Sequence, residues 1–133
     1  MRQVYLNMSR EKVQTFSYHD RWGLISINDP CNDMPDIQCK NLESYIKLTF
    51  QDVDNEENGW IMDEDDARKI KEYVEKQEHL SLIVIHCYAG VSRSAAVAAA
   101  LSKHYNGDDS MFFKRFIPNA LVYRLMLNEL TKG

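Results

Sequence analysis

The sequence lacks the features that would place it outside the class of compact globular domains. Its 133 residues include only five glycines, three prolines and three cysteines, which excludes a collagen-like chain, a low-complexity segment and a disulfide-stapled miniprotein. The cysteines are widely spaced, odd in number and form no CxxC pair, so reduced thiols are favoured over a disulfide framework or a zinc site. The longest apolar run, residues 95–101, falls far short of the roughly 18 residues of a membrane-spanning helix.

What the chain does contain is the material for one hydrophobic core. Hydrophobic residues make up 44% of the sequence, so we expect residues 1–133 to form a single domain. The N-terminal segment MRQVYLNMSREK has no continuous apolar stretch like that of a secretory signal, which leads us to expect a cytoplasmic protein without membrane association. The net charge of −4, with eight acidic residues between positions 52 and 66, disfavours nonspecific binding to nucleic acid.

Strand-like and helix-like patterns alternate along the chain. The predicted strands cover residues 4–6, 22–27, 45–50 and 81–87. The predicted helices cover residues 10–16, 63–79, 94–105, 108–116 and 119–130. This alternation predicts an α/β domain with a central, mostly parallel sheet flanked by helices, and the apolar run before Cys87 suits its most buried strand. Ligands on such sheets bind beyond the carboxyl ends of the strands, here the loops after Ile27, Phe50 and His86.

The segment with the clearest chemical content is HCYAGVSRS, residues 86–94. Cys87 ends a predicted strand and Arg93 opens a predicted helix, so the backbone between them must curl with its N–H groups pointing inward, as in sites that bind a tetrahedral oxyanion. Gly90 allows a backbone conformation that a side chain would obstruct. The inward amides, the helix N-terminus and the guanidinium all stabilise a thiolate over a thiol. The segment therefore predicts a cysteine nucleophile aimed at a phosphoryl group, with Arg93 holding two phosphate oxygens.

HCYAGVSRS resembles the H-C-x5-R-[ST] signature of the cysteine-dependent protein tyrosine phosphatase superfamily, and its GVSRS ending is most similar to the dual-specificity branch. The acidic loop upstream and the pair Pro118-Asn119 before the last predicted helix are also similar to small phosphatases of this family. The resemblance implies a protein-tyrosine or dual-specificity phosphatase that needs neither metal nor cofactor. Its partner would be a phosphorylated protein or peptide that carries phosphotyrosine, with phosphoserine and phosphothreonine as further substrates.

The resemblance also implies a role for each residue of the motif. Cys87 attacks phosphorus and forms a cysteinyl-phosphate, while Arg93 binds the phosphate and stabilises the transition state. Ser94 assists the departure of the thiolate in the second step, and His86 supports the loop. The phosphate-binding residues implied in this way are Tyr88, Ala89, Gly90, Val91, Ser92 and Arg93.

By the same resemblance, the general acid that protonates the leaving oxygen lies on the loop after the third predicted strand. We prefer Asp52, because related sequences commonly end this strand directly in the catalytic aspartate, as KLTFQD does here. Asp54, two residues later, is the rival. Cys31 and Cys39 lack partners of this kind and are interpreted as loop thiols, with a protective disulfide to Cys87 as the alternative.

Two other functions are compatible with the same signature. Some relatives are RNA 5′-triphosphatases, but relatives that take highly anionic substrates often carry Lys or Arg inside the five-residue loop, and residues 88–92 contain neither. A noncatalytic phosphopeptide-binding module would usually have lost the cysteine, the arginine or the acid, all of which are present. Arsenate reductases and low-molecular-weight phosphatases share the C-x5-R spacing but place it near the N-terminus, unlike Cys87.

Overall fold

The computed structural model describes residues 2–53 and 60–132. The strands within these ranges are β1 (Val4–Ser9), β2 (Trp22–Asn28), β3 (Leu42–Thr49) and β4 (Leu82–Cys87). The helices are α1 (Arg10–Thr15), α2 (Glu64–Lys76), α3 (Arg93–Leu101), α4 (Ser110–Arg115) and α5 (Ala120–Leu130). The four strands form one parallel sheet in the order β1-β4-β2-β3. This confirms the predicted α/β architecture with a central parallel sheet and flanking helices.

The pairing of the strands brings several carboxyl ends to one edge of the sheet. β4 is buried along its whole length between β1 and β2, as its apolar run predicts. Ser9 at the end of β1 pairs with Cys87 at the end of β4. On the other side of β4, Ser26 of β2 pairs with His86. Residues that follow these strands therefore meet around Cys87, at the edge where ligands bind in parallel sheets.

Side-chain caps set the beginnings of three helices. Ser9 begins α1 as its N-cap, with its Oγ accepting a hydrogen bond from the Lys12 N–H at 3.0 Å. Asp63 and Asp66 form a reciprocal capping box at the start of α2, in which each carboxylate accepts from the other's backbone N–H, at 2.8 and 3.1 Å. Asn119 caps α5 by accepting from the Val122 N–H at 3.1 Å. These short-range bonds explain why helix starts are visible in the sequence.

Several boundaries differ from the predicted ones: β1 runs on to Ser9 instead of ending at residue 6, and α2 ends at Lys76 instead of residue 79. β3 begins at Leu42 rather than at residue 45, because Leu42 pairs with Trp22. The strand lies at the edge of the sheet, and three of its eight residues are exposed. α3 ends at Leu101, and the chain continues as a π-helical turn, Ser102–Asn106, that Gly107 ends in the left-handed conformation with φ 83°.

The core occupies both faces of the sheet. The larger cluster joins one face, including Ile25 and Ile85, to α2, α3 and α5, and the smaller one packs Trp22 and its neighbours beneath α1. α3 is buried at every position, and its alanines let the helix approach the sheet closely. Close packing of α3 fixes the position of its first residue, Arg93, at the end of β4. Within the described ranges, no helix is long and apolar enough to cross a membrane.

Candidate functional site

The loop between β4 and α3 curls around the sulfur of Cys87. The Sγ atom accepts hydrogen bonds from the backbone N–H groups of Gly90, at 3.3 Å, and Ser94, at 3.4 Å. The Ser94 hydroxyl lies 3.2 Å from the same sulfur. Cys87 is only 1% exposed. Backbone amides that converge on one sulfur stabilise negative charge there, and the same concave loop suits a bound oxyanion.

Gly90 is the point at which this loop touches β1. Its φ is 75°, and a Cβ atom at this position would lie 2.4 Å from the Ser9 nitrogen and 2.5 Å from the Met8 carbonyl carbon. The Gly90 carbonyl oxygen accepts a hydrogen bond from the buried Asn7 Nδ2 at 2.9 Å. Only glycine combines this backbone conformation with such a close approach, so β1 shapes the loop directly.

Replacing Gly90 by alanine should lower the free energy of unfolding by at least about 3 kcal/mol, because backbone strain adds to a clash with β1. Gly107→Ala is the matched control, since Gly107 has φ 83° but nothing within 4 Å of an added Cβ. Gly107→Ala introduces backbone strain without a clash, so its free energy of unfolding should fall by only about 1 kcal/mol. Urea denaturation measures both losses. Equal losses would show that contact with β1 does not constrain the loop.

His86 is fully buried behind the loop and held in one orientation. Its Nε2 lies 2.6 Å from Ser26 Oγ, and its Nδ1 lies 3.3 Å from the Cys87 carbonyl oxygen. Asn28 Nδ2 donates to Ser26 Oγ at 3.0 Å, so the hydroxyl donates in turn to Nε2, and Nδ1–H donates to the carbonyl. Burial lowers the pKa of His86 to about 4. The ring is therefore neutral near neutral pH and orients the Cys87 backbone without adding charge.

Arg93 is almost entirely buried, with 4% of its surface exposed. Its Nη1 donates to Asp29 Oδ1 at 2.9 Å and to the Phe50 carbonyl oxygen at 2.8 Å. Its Nε has no hydrogen-bond partner among the residues that the structure describes. A buried guanidinium N–H without an acceptor is costly, so Nε is a donor available to an anion that enters the site.

Asp29 is a site residue that the sequence did not reveal. It follows β2 in the triplet Asn-Asp-Pro, which is typical of a loop, and the loop after Ile27 was predicted to lie at the ligand-binding edge. The structure pairs its carboxylate with Arg93, and the two side chains are 29% and 5% exposed. A partly sheltered ion pair of this kind fixes the direction of the guanidinium more than it stabilises the fold. The signal in the sequence was a carboxylate directly after a predicted strand, in a loop at the edge of the sheet where ligands bind.

Asp52 is tied to the loop by two hydrogen bonds to its Oδ1 atom. Ser92 Oγ donates at 2.8 Å and Asn119 Nδ2 donates at 2.9 Å. Asn119 Nδ2 also donates to the Val53 carbonyl at 2.9 Å, and the Asn119 N–H donates to the Ser92 carbonyl at 3.1 Å. Asn119 therefore fixes the position of Asp52 relative to the loop. This role was not predicted from the Pro118-Asn119 pair in the sequence. Asp54, the rival acid, lies outside the described residues.

The remaining loop residues divide between the rim and the interior. Tyr88, Ala89 and Val91 are exposed, whereas Gly90 and Ser94 are buried. The exposed side chains therefore lie where an incoming substrate would contact them, while the buried residues shape the cradle around the sulfur.

The other two cysteines are, like Cys87, free thiols. Cys31 is exposed, and Cys39 is partly buried and accepts a hydrogen bond from Trp22 Nε1 at 3.2 Å. Neither is joined to Cys87 in this structure. In residues 2–53 and 60–132, no group of three or more His, Cys, Asp or Glu side chains could hold a metal ion.

Comparison with known proteins bears on the fold. No family model and no curated protein matches the chain. Among solved structures, the crystal structure of the human tyrosine phosphatase-like serine/threonine/tyrosine-interacting protein superposes with a TM-score of 0.60 at 21% identity, covering 83% of this chain and 76% of that one. Since the identity is low, the likeness concerns architecture rather than activity. The chain therefore has a tyrosine phosphatase-like fold.

Proposed function

We propose that this protein is a phosphatase that hydrolyses phosphate monoesters of cytoplasmic phosphoproteins, with phosphotyrosine as its first substrate class and phosphoserine and phosphothreonine as further ones. Residues 1–133 act as one catalytic domain in this proposal. The observation that carries it is the convergence of two backbone N–H groups on Cys87 Sγ, beside an arginine whose Nε is buried without a partner. A nucleophile and a set of donors for phosphate oxygens thus occupy one cradle.

In the first step, the Cys87 thiolate attacks phosphorus in line with the leaving oxygen. The S–P bond forms as the P–O bond to the substrate breaks, and Asp52 gives its proton to the departing oxygen. Arg93 and the amides of the loop stabilise the charge on the equatorial oxygens in the transition state. The bond from Ser92 to Asp52 supports this assignment, because it ties the acid to the loop that holds the phosphate.

In the second step, water attacks the cysteinyl-phosphate and its proton passes to the Asp52 carboxylate. The new O–P bond forms as the S–P bond breaks, which releases inorganic phosphate and returns the sulfur as a thiolate. The Ser94 hydroxyl, 3.2 Å from Sγ, donates a hydrogen bond to this thiolate and helps it to leave. The neutral His86 ring keeps the Cys87 carbonyl in place throughout the cycle.

A noncatalytic phosphopeptide-binding module is the second candidate. It is favoured by the solved neighbour, which is described as tyrosine phosphatase-like and as an interacting protein. The same loop amides and Arg93 would hold the phosphate in a module. The two candidates differ in whether bound phosphate is transferred to Cys87.

The test is a rapid-mixing measurement with p-nitrophenyl phosphate. A phosphatase should release p-nitrophenol with turnover, and acid quenching should trap one phosphoryl group on the peptide that contains Cys87. Phosphotyrosine peptides, phosphothreonine peptides and 5′-triphosphorylated RNA then rank the substrate classes. Saturable phosphopeptide binding without product or trapped phosphate would favour the module instead.

A further inference from the structure

A cleft of about 440 Å³ opens directly beside Asp52. Its polar lining includes Asp52 and Ser92, and its apolar lining consists of Val53, Ile117, Pro118 and Ala120. Asp52 and Ser92 also belong to the phosphate site, so the cleft and that site are continuous. The volume falls within the roughly 300–1,000 Å³ typical of small-ligand sites.

Ile117 gives the cleft an unusual exposed apolar wall. Its side chain is 77% exposed, the highest value among the large hydrophobic side chains of the described residues. Its backbone is nevertheless fixed, because its N–H donates to the Val91 carbonyl at 3.1 Å and Pro118 follows it. Val91 is itself 39% exposed and extends the apolar surface toward the loop. An apolar patch held rigidly at the rim of a polar site marks a contact surface.

The lining defines what the cleft would accept. Among the described residues that line it, Asp52 is the one charged side chain, so an acidic occupant would be repelled, whereas an apolar one would match the apolar lining residues. An extended peptide advances about 3.3 Å per residue. A residue close in sequence to the phosphorylated one would therefore reach a cleft that begins at Ser92, the neighbour of Arg93.

We propose that this cleft is a subsite for an apolar side chain one or two positions from the phosphorylated residue of the substrate, with Ile117 as its specificity-determining residue. The proposal rests on the phosphatase function proposed above. It narrows the substrate class to phosphopeptides with an apolar flank.

The test compares two phosphotyrosine peptides that carry either leucine or asparagine at the positions within two residues of the phosphotyrosine. The measured quantity is the ratio of kcat/KM for the leucine peptide to that for the asparagine peptide, which is independent of the active fraction of each preparation. Wild-type protein should favour leucine about tenfold, and Ile117→Ala should reduce the ratio to about twofold. Val4→Ala is the matched control, since Val4 is 52% exposed on β1 and should leave the ratio unchanged.

A wild-type ratio near one, an unchanged ratio in Ile117→Ala or an equal change in Val4→Ala would overturn the subsite while leaving the phosphatase function intact. If neither peptide nor p-nitrophenyl phosphate is turned over, the phosphatase function fails instead. In that case, the affinities of the leucine and asparagine peptides for the Cys87→Ser protein are compared instead. A leucine preference that Ile117→Ala removes supports the subsite, and the absence of a preference overturns it.

Discussion

Replacing Cys87 by serine is expected to lower kcat for p-nitrophenyl phosphate by at least about 10⁴-fold, as loss of a catalytic nucleophile does. A hydroxyl stays protonated where a thiol can ionise, so the variant needs a base to activate it. The His86 ring is not placed to serve as one, because its two nitrogens face Ser26 and the Cys87 carbonyl. The amides of Gly90 and Ser94 stabilise a charged sulfur but do not remove a proton.

The same variant should still bind a phosphotyrosine peptide, because Arg93 and the loop amides remain in place. Isothermal titration calorimetry measures this binding, and the assay with p-nitrophenyl phosphate measures turnover. Cys31→Ser is the matched control, since Cys31 is an exposed thiol remote in sequence from the loop, and it should keep full activity. Substantial residual turnover in Cys87→Ser, or an equal loss in Cys31→Ser, would show that Cys87 is not the nucleophile.

The loop around Cys87 could be predicted from the sequence because its determinants are local. A buried strand, a glycine and an alanine-rich helix follow one another within residues 82–101, and together they define a strand-to-helix turn. The capping of α1 by Ser9 is similarly local, since donor and acceptor are three residues apart. Short-range signals of this kind survive in a single sequence because no other part of the chain is needed to produce them.

The residues that hydrogen-bond to the loop could not be predicted, because the order of the strands in the sheet determines which residues lie beside it. Asn7 reaches the Gly90 carbonyl only because β1 pairs with β4, although the two residues are 83 positions apart. Asp29 meets Arg93 because β2 lies on the other side of β4. Hydrophobic periodicity predicts neither of these strand pairs, because it indicates which face of a strand or helix is buried but not which element packs beside it. In the sequence, these polar residues could not be distinguished from other loop or strand residues, and only the sheet topology shows that they lie beside the loop.

The link between Asn119 and Asp52 extends this point to the chemistry. Asp52 was predicted to be the acid from its position after a strand, and the structure connects its carboxylate to the loop through Ser92 and to the start of α5 through Asn119. Two segments that are far from Asp52 in sequence thus hold its carboxylate. An acid that is held in this way is pre-oriented for a leaving group, since it need not give up the freedom of a flexible loop when substrate binds.

Asp52→Asn is expected to lower kcat/KM, which reports the step that releases the leaving group, by about 10²- to 10³-fold for phenyl phosphate, but only about tenfold or less for p-nitrophenyl phosphate. Phenolate is a poor leaving group that needs a proton as the P–O bond breaks, whereas p-nitrophenolate leaves without one. The amide of asparagine has nearly the shape of the carboxylate but cannot donate an acidic proton. Comparison of the two substrates within one protein preparation removes any effect of a partly folded or partly active sample.

Asp54→Asn, two residues later in the sequence, is the matched variant that separates the two candidate acids. If Asp52 is the acid, the ratio of the two rates in Asp54→Asn should stay within about twofold of wild type, because proton transfer would be intact. If Asp54 is the acid, Asp54→Asn should be the variant that loses much more activity on phenyl phosphate than on p-nitrophenyl phosphate. A wild-type ratio in both variants would place the general acid elsewhere and remove Asp52 from the mechanism, while a selective loss in Asp52→Asn would assign the proton to the carboxylate that Ser92 and Asn119 hold.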